Sequence, residues 1–177
     1  LALNQLWNLQ LSRAELITLG VKLGADVPFF IYGKNAWAEG IGEQLYSISL
    51  QDAYYVVLTP DAHVSTAQIF ANKQLTKNTN PKTMSDFSGA CKLNTGNLSA
   101  EFTNNLEKVV CDAYPPVLNC LNWLKQFGDA RMSGSGASVF LEVADENTAN
   151  AICSKKPSQV RGFVAKGLNQ HPFNTFS

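Results

Sequence analysis

The sequence predicts an α+β fold, and three observations predict it. From residue 54 onward, apolar segments follow in the order strand, helices, strand, strand, helix, strand, the split β-α-β pattern of a ferredoxin-like sandwich. Before residue 54 the rhythm differs: helix-capping signals come first and a short strand follows. The length of 177 residues allows one domain with a real core, or one domain plus a piece of another, and 45% hydrophobic with 16% charged residues is the composition of a globular chain.

The elements follow in order. Leu3, Leu6 and Trp7 fall at helical spacing with no cap before them, which predicts a helix continuing from an earlier segment and a chain that is part of a longer protein. Ser12 and Glu15 form an S-x-x-E capping box, and Gly24 is the expected stop of that helix. Pro28 argues against a simple helical continuation. Asn35 to Glu39 reads as a strand, and Gly40 with Gly42 as a turn. Tyr54 to Leu58 is a buried strand by its aromatic and β-branched content. Ser65 is expected to cap a short helix to about Ala71, and residues 73–99, rich in Asn, Thr, Lys and Ser, to form a long loop with room for one short helix. Helices are predicted over Asn104–Ala113 and Pro116–Phe127, with Gly128 ending the second. A strand from Ala130 to Met132, a tight Ser-Gly loop, a strand over Ala137–Val143, a helix over Glu146–Cys153 and a strand over Gly162–Lys166 complete the chain.

Composition excludes several function classes. Lys plus Arg equals Asp plus Glu at 14 each, so no cationic field draws nucleic acid or anionic lipid. No apolar run approaches the roughly 20 residues of a membrane span. Leu1 to Leu11 hold no basic region and no small-residue cleavage site, so no signal peptide is read there. Cys91, Cys111, Cys120 and Cys153 form no C-x-x-C pair, which argues against a zinc site or disulfide framework and for a reducing cytoplasm.

Two stretches could carry chemistry. Ser133-Gly134-Ser135-Gly136-Ala137 alternates small residues between strands, so backbone N–H groups and hydroxyls could approach an anion unhindered. A plain hairpin turn accounts for the same composition, and the Lys-Ser/Thr ending of a P-loop is absent. Asp26 lies between a helix end and the apolar run Val27-Pro28-Phe29-Phe30, which would strip water from a carboxylate and tune it as a general base. A turn aspartate bonded to backbone N–H groups is the structural alternative. His63 and His171 show no partner spacing, and no nucleophile-His-acid triad is readable.

Four segments occur together in an order that resembles the GHMP kinases: LGADVPFF (Leu23 to Phe30), WAEGIGE (Trp37 to Glu43), MSGSGASVF (Met132 to Phe140) and GFVAKG (Gly162 to Gly167). The resemblance runs from Leu1 to about Pro172. The Ser-Gly loop alone indicates only the superfamily. G-A-D-V-P followed by A-E-G-I-G is more specific, and resembles the branch whose acceptor is 4-diphosphocytidyl-2-C-methyl-D-erythritol, in the non-mevalonate route to isoprenoids.

That resemblance implies transfer of the ATP γ-phosphate to the 2-hydroxyl of this alcohol, with Mg²⁺ helping to bridge the phosphates. Asp26 matches the family's catalytic aspartate, and Ser133, Gly134, Ser135, Gly136 and Ala137 match its third glycine-rich motif. Phe70 matches an aromatic against which cytosine could stack, and Thr66 lies in the same substrate-binding segment. Residues 1–46 would be the remainder of an N-terminal kinase domain and 47–177 the C-terminal domain. The family's main ATP loop, and the lysine that pairs with the catalytic aspartate, have no counterpart in this sequence. The chain is therefore expected to need its own N-terminal segment as a partner and to show little or no kinase activity alone. The competing readings are another GHMP kinase acting on mevalonate, homoserine or a sugar, and a non-enzymatic ferredoxin-like binding module. The zero net charge argues against an RNA-binding version of the latter.

Overall fold

The computed structural model describes residues 1–75 and 103–175. The body of the predicted polar loop, and Cys91 within it, lie outside the described residues. The chain divides into two compact units, one of Leu1–Asp52 with Leu168–Ser177, the other of Ala53–Gly167. The expected domain boundary lies at 46/47; the compact units divide at 52/53, and the tail from Leu168 groups with the first unit.

In the first unit, helix α1 spans Ala2–Leu6 and α2 spans Arg13–Val21. The capping box forms as expected: Ser12 N–H donates to Glu15 Oε2 at 2.8 Å and Glu15 N–H to Ser12 Oγ at 3.3 Å. The helix stops earlier than predicted, with Lys22 as the C-cap residue in right-handed conformation. Gly24 is not the left-handed terminator. A new helix, α3 (Val27–Tyr32), starts three residues later with Pro28 in its first turn. Proline bars continuation of a preceding helix but suits the opening turn of a new one, where its missing N–H costs nothing. Gly33, at φ +72°, ends α3.

Buried Gly20 lets α2 and α3 approach closely, since a Cβ there would lie 2.7 Å from Ile31 Cδ1 and 3.0 Å from Val27 Cγ1. The predicted strand, β1 (Ala36–Glu39), pairs antiparallel with β2 (Gln44–Ser47), which sequence reading did not single out. The chain's tail closes this unit: His171 N–H donates to Gly33 O at 2.9 Å, and the Arg13 guanidinium donates to Ile31 O and to Asn174 O.

The second unit holds a four-stranded sheet. Its strands are β3 (Tyr54–Thr59), β4 (Arg131–Met132), β5 (Val139–Val143) and β6 (Arg161–Lys166), in the spatial order β4-β5-β3-β6, with every pairing antiparallel. Helices α4 (Thr66–Ala71), α5 (Asn105–Ala113), α6 (Pro115–Leu124) and α7 (Glu146–Cys153) complete the ferredoxin-like pattern. Period-two alternation puts Val56, Leu58, Val139 and Leu141 on one sheet face. They pack there against Val110, Val117, Leu121, Leu124, Ala149 and Ile152 of the helices.

The element ends carry several corrections. Helix α6 finishes at Leu124, not Phe127, because Lys125 caps it and Phe127 folds back onto Trp123, with ring centroids 4.9 Å apart. Strand β5 begins at Val139, not Ala137. Ser65 precedes α4 but its side chain makes no capping bond. Among the described residues, no helix is long and apolar enough to cross a membrane.

Candidate active site

Asp26 is the N-cap residue of α3 and its side chain makes no capping hydrogen bond. The expected shielding by the following apolar run does not occur: Asp26 is exposed. In helical rather than extended backbone, residues four apart share a face. Buried Pro28 points into the unit, while Phe30 stays 59% exposed.

The glycine turn between β1 and β2 lies against this aspartate's own backbone. A Cβ on Gly42, at φ +113°, would stand 2.8 Å from the carbonyl oxygen of Ala25, the residue preceding Asp26. The two sequence segments that stood out together thus meet in space, and only a residue without a side chain lets them. Glu43 braces the same turn by accepting a hydrogen bond from Ile41 N–H at 2.8 Å. Backbone N–H groups of Glu43 itself and of Ile41 hold its carboxyl below the ordinary glutamate range.

The other seven predicted site residues lie in the second unit. Ser133 N–H donates to Ser138 O and Gly136 N–H to Ser133 O, both at 2.9 Å, so the Ser-Gly loop is the hairpin turn joining β4 to β5. It also keeps room for a ligand. Among the described residues, nothing lies within 4 Å of where a Cβ on Gly134, at φ +54°, would sit. Among the described residues, none accepts a hydrogen bond from the N–H of Gly134 or Ser135. Gly136, at φ +88°, serves packing instead, since a Cβ there would press on Met132 Sδ at 3.1 Å and Val110 Cγ1 at 3.3 Å.

Thr66 opens α4, and its Oγ1 lies 2.8 Å from Ser135 Oγ. Phe70 follows four residues later on the same helix and is 53% exposed. The structure therefore joins the Ser-Gly loop to the segment of Thr66 and Phe70 by a direct hydroxyl contact. Open N–H donors, paired hydroxyls and an exposed aromatic a helical turn away suit a ligand with an anionic part and a planar ring.

Two further residues hold this loop, and sequence reasoning saw only one of them, as a helix start. Asn104 caps α5 by accepting Leu106 N–H at 3.0 Å, while its Nδ2 donates to Met132 O at 3.1 Å and to Gly134 O at 2.7 Å. Glu107 Oε2 accepts Met132 N–H at 3.0 Å, and its Oε1 pairs with Lys125 Nζ at 3.3 Å. An asparagine before a helix is legible as a cap; its reach to a loop far along the chain is not.

Family models match in two places: one described as GHMP kinases N terminal domain over residues 1–34, and one described as GHMP kinases C terminal over residues 84–160. Among curated proteins, a 4-diphosphocytidyl-2-C-methyl-D-erythritol kinase of Burkholderia cenocepacia is 47% identical over 177 residues, covering 100% of this chain and 60% of that protein. The protein of the same name in Nitrosospira multiformis is also 47% identical, covering 100% of this chain and 58% of the relative. The chain thus spans about 60% of the length of the curated relatives it matches. A crystal structure of 4-(cytidine 5'-diphospho)-2C-methyl-D-erythritol kinase superposes with a TM-score of 0.68 at 24% identity, over 93% of this chain and 60% of that one. A homoserine kinase from Cytophaga hutchinsonii gives a TM-score of 0.58 at 17% identity, over 96% of this chain and 62% of that one.

Proposed function

The chain belongs to the GHMP kinases, and from that membership we propose that the protein transfers the γ-phosphate of ATP to the 2-hydroxyl of 4-diphosphocytidyl-2-C-methyl-D-erythritol. The observation that carries the reading is the 2.8 Å contact of Thr66 Oγ1 with Ser135 Oγ. It ties an anion-accessible loop to a helix bearing an exposed aromatic, which is what an acceptor with both a diphosphate and a cytosine asks of one surface. The relatives' shared name supports the substrate.

The roles follow from the chemistry of phosphoryl transfer, which demands positioning and charge stabilisation more than covalent work. Asp26 holds the acceptor hydroxyl for attack and takes its proton. Its exposed carboxylate, unengaged as a cap, is free to do so. The open N–H groups of Gly134 and Ser135 donate to phosphate oxygens. Phe70 stacks on the cytosine. Among the described residues no cluster of three or more His, Cys, Asp or Glu could hold a metal. Mg²⁺ would be held through one or two carboxylates together with the nucleotide phosphates. When bound, the ion supplies charge neutralisation between the phosphates. We read the first unit with the N-terminal domain of this kinase class and the second with its C-terminal domain.

The test is ADP release by the protein at its full natural length, with ATP and Mg²⁺, against a panel of alcohols. Turnover on 4-diphosphocytidyl-2-C-methyl-D-erythritol, and little on 2-C-methyl-D-erythritol 4-phosphate, mevalonate or homoserine, is expected. Equal or greater turnover on an alcohol lacking the cytidyl group would defeat the substrate assignment.

A further inference from the structure

Strand β4 is two residues long and stands at the edge of the sheet, yet the loop proposed to face phosphate springs directly from it. An edge strand leaves one side of its backbone without a ladder partner. At Met132, whose side chain is buried, both main-chain groups are taken up by side chains of α5: the N–H by Glu107 and the C=O by Asn104. The Asn104 amide reaches one step further, to Gly134 O at 2.7 Å. Its orientation is unambiguous. Oδ1 accepts the Leu106 N–H, so the NH₂ group must face the two loop carbonyls; a flipped amide would set oxygen against both of them.

We propose that Asn104 is a positioning residue for the reaction, fixing the Ser-Gly loop so that the N–H groups of Gly134 and Ser135 stay open to a phosphate. The inference rests on the kinase reading for its effect on turnover, but its structural half does not. Thr66 anchors the loop at Ser135 from α4, and Asn104 anchors it at Met132 and Gly134 from α5. The 133–136 turn bond closes within the loop, so these side chains supply its hydrogen bonds to the helices, beside the packing of Gly136 on Val110. Donors that stabilise a transferring phosphoryl group act only if held in place beforehand, and displacement by about 1 Å can cost up to ~100-fold in rate.

Capping and tethering can be separated by substitution. Asn104→Ser keeps a neutral N-cap oxygen but is too short to reach the loop carbonyls. Asn104→Asp keeps the cap, removes both donors and sets a carboxylate against two carbonyl oxygens. In full-length protein, N104S should keep its melting temperature within a few degrees. Its kcat should fall about 10- to 100-fold, with KM for the alcohol within about twofold, the pattern of an interaction realised in the transition state. N104D should lose at least as much. Independently of any turnover, amide exchange at Met132, Ser133 and Gly136 should speed up in N104S while β3 is unchanged. Wild-type kcat in N104S, a loss that merely tracks the fraction unfolded, or unaltered exchange in the loop would each overturn the proposal. Wild-type protein inactive on the alcohol would instead defeat the functional reading, and the exchange measurement would still decide the tether.

Discussion

A methyl group on Gly42 would meet the Ala25 carbonyl oxygen at 2.8 Å, at a backbone φ of +113° that side-chain-bearing residues rarely adopt. Gly42→Ala should therefore destabilise the protein by about 1–3 kcal/mol and also lower kcat, because relief of the clash moves the backbone that carries Asp26. Thermal melts and initial rates test this together; a variant with wild-type rate would separate the glycine turn from the aspartate. Phe70 gives a second residue-scale test. Base stacking contributes about 1–3 kcal/mol, so Phe70→Ala should raise KM for the cytidyl alcohol about fivefold to a hundredfold, with a smaller effect on KM for ATP. A KM for the alcohol within twofold of wild type would remove Phe70 from the base site. Neither Phe70 nor Thr66 stands out in the sequence by composition or spacing, and only the family resemblance singled them out. Asp26 was legible as a carboxylate at a helix boundary, but its exposure was not, because the apolar run beside it folds as a helix that turns those side chains to different sides.

Helix starts were the most readable elements, since a cap is a contact between residues three apart. Ser12 with Glu15 forms as the sequence indicates. Asp145, which the sequence reading did not single out, caps α7, with Thr148 N–H donating to Oδ1 at 2.9 Å and its hydroxyl to Oδ2 at 2.7 Å. Hydrogen bonds from the Thr148 backbone and hydroxyl hold the Asp145 carboxyl below the usual aspartate range. A carboxyl with a lowered folded-state pKa stabilises above its unfolded pKa, about 3.9, and loses that contribution as pH falls through the folded value. Asp145→Ala should thus melt lower than wild type at pH 6, and the gap should shrink as pH drops below about 4. A gap independent of pH between 6 and 3 would mean the charged cap contributes nothing. Helix ends read less well. The stop of α2 at Lys22 and of α6 at Lys125 depends on where the following chain packs, as with Phe127 on Trp123. Helix α3 and strand β2 are six and four residues long, too short for periodicity to declare them.

At the scale of the whole molecule, the sheet of the second unit was legible because its longer strands and the helices packed on them carry their own apolar period, and their order admits few topologies. The partition of the chain was less so. The return of residues 168–177 to the first unit depends on hydrogen bonds such as His171 N–H to Gly33 O, which join distant parts of the sequence. The candidate residues divide the same way: Asp26 belongs to the first unit, and Thr66, Phe70 and the Ser-Gly loop to the second. The central proposal is that Asp26 is the carboxylate of a phosphoryl transfer to the cytidyl alcohol. The most direct measurement is the rate of ADP formation from ATP, Mg²⁺ and 4-diphosphocytidyl-2-C-methyl-D-erythritol by the full-length protein and its Asp26→Asn variant. The account predicts wild-type turnover and a loss of about 10²–10⁴-fold in the variant, the usual worth of a positioned base, with the melting temperature preserved because the exposed carboxylate makes no capping bond to lose. An Asp26→Asn variant that turns over at the wild-type rate would contradict it.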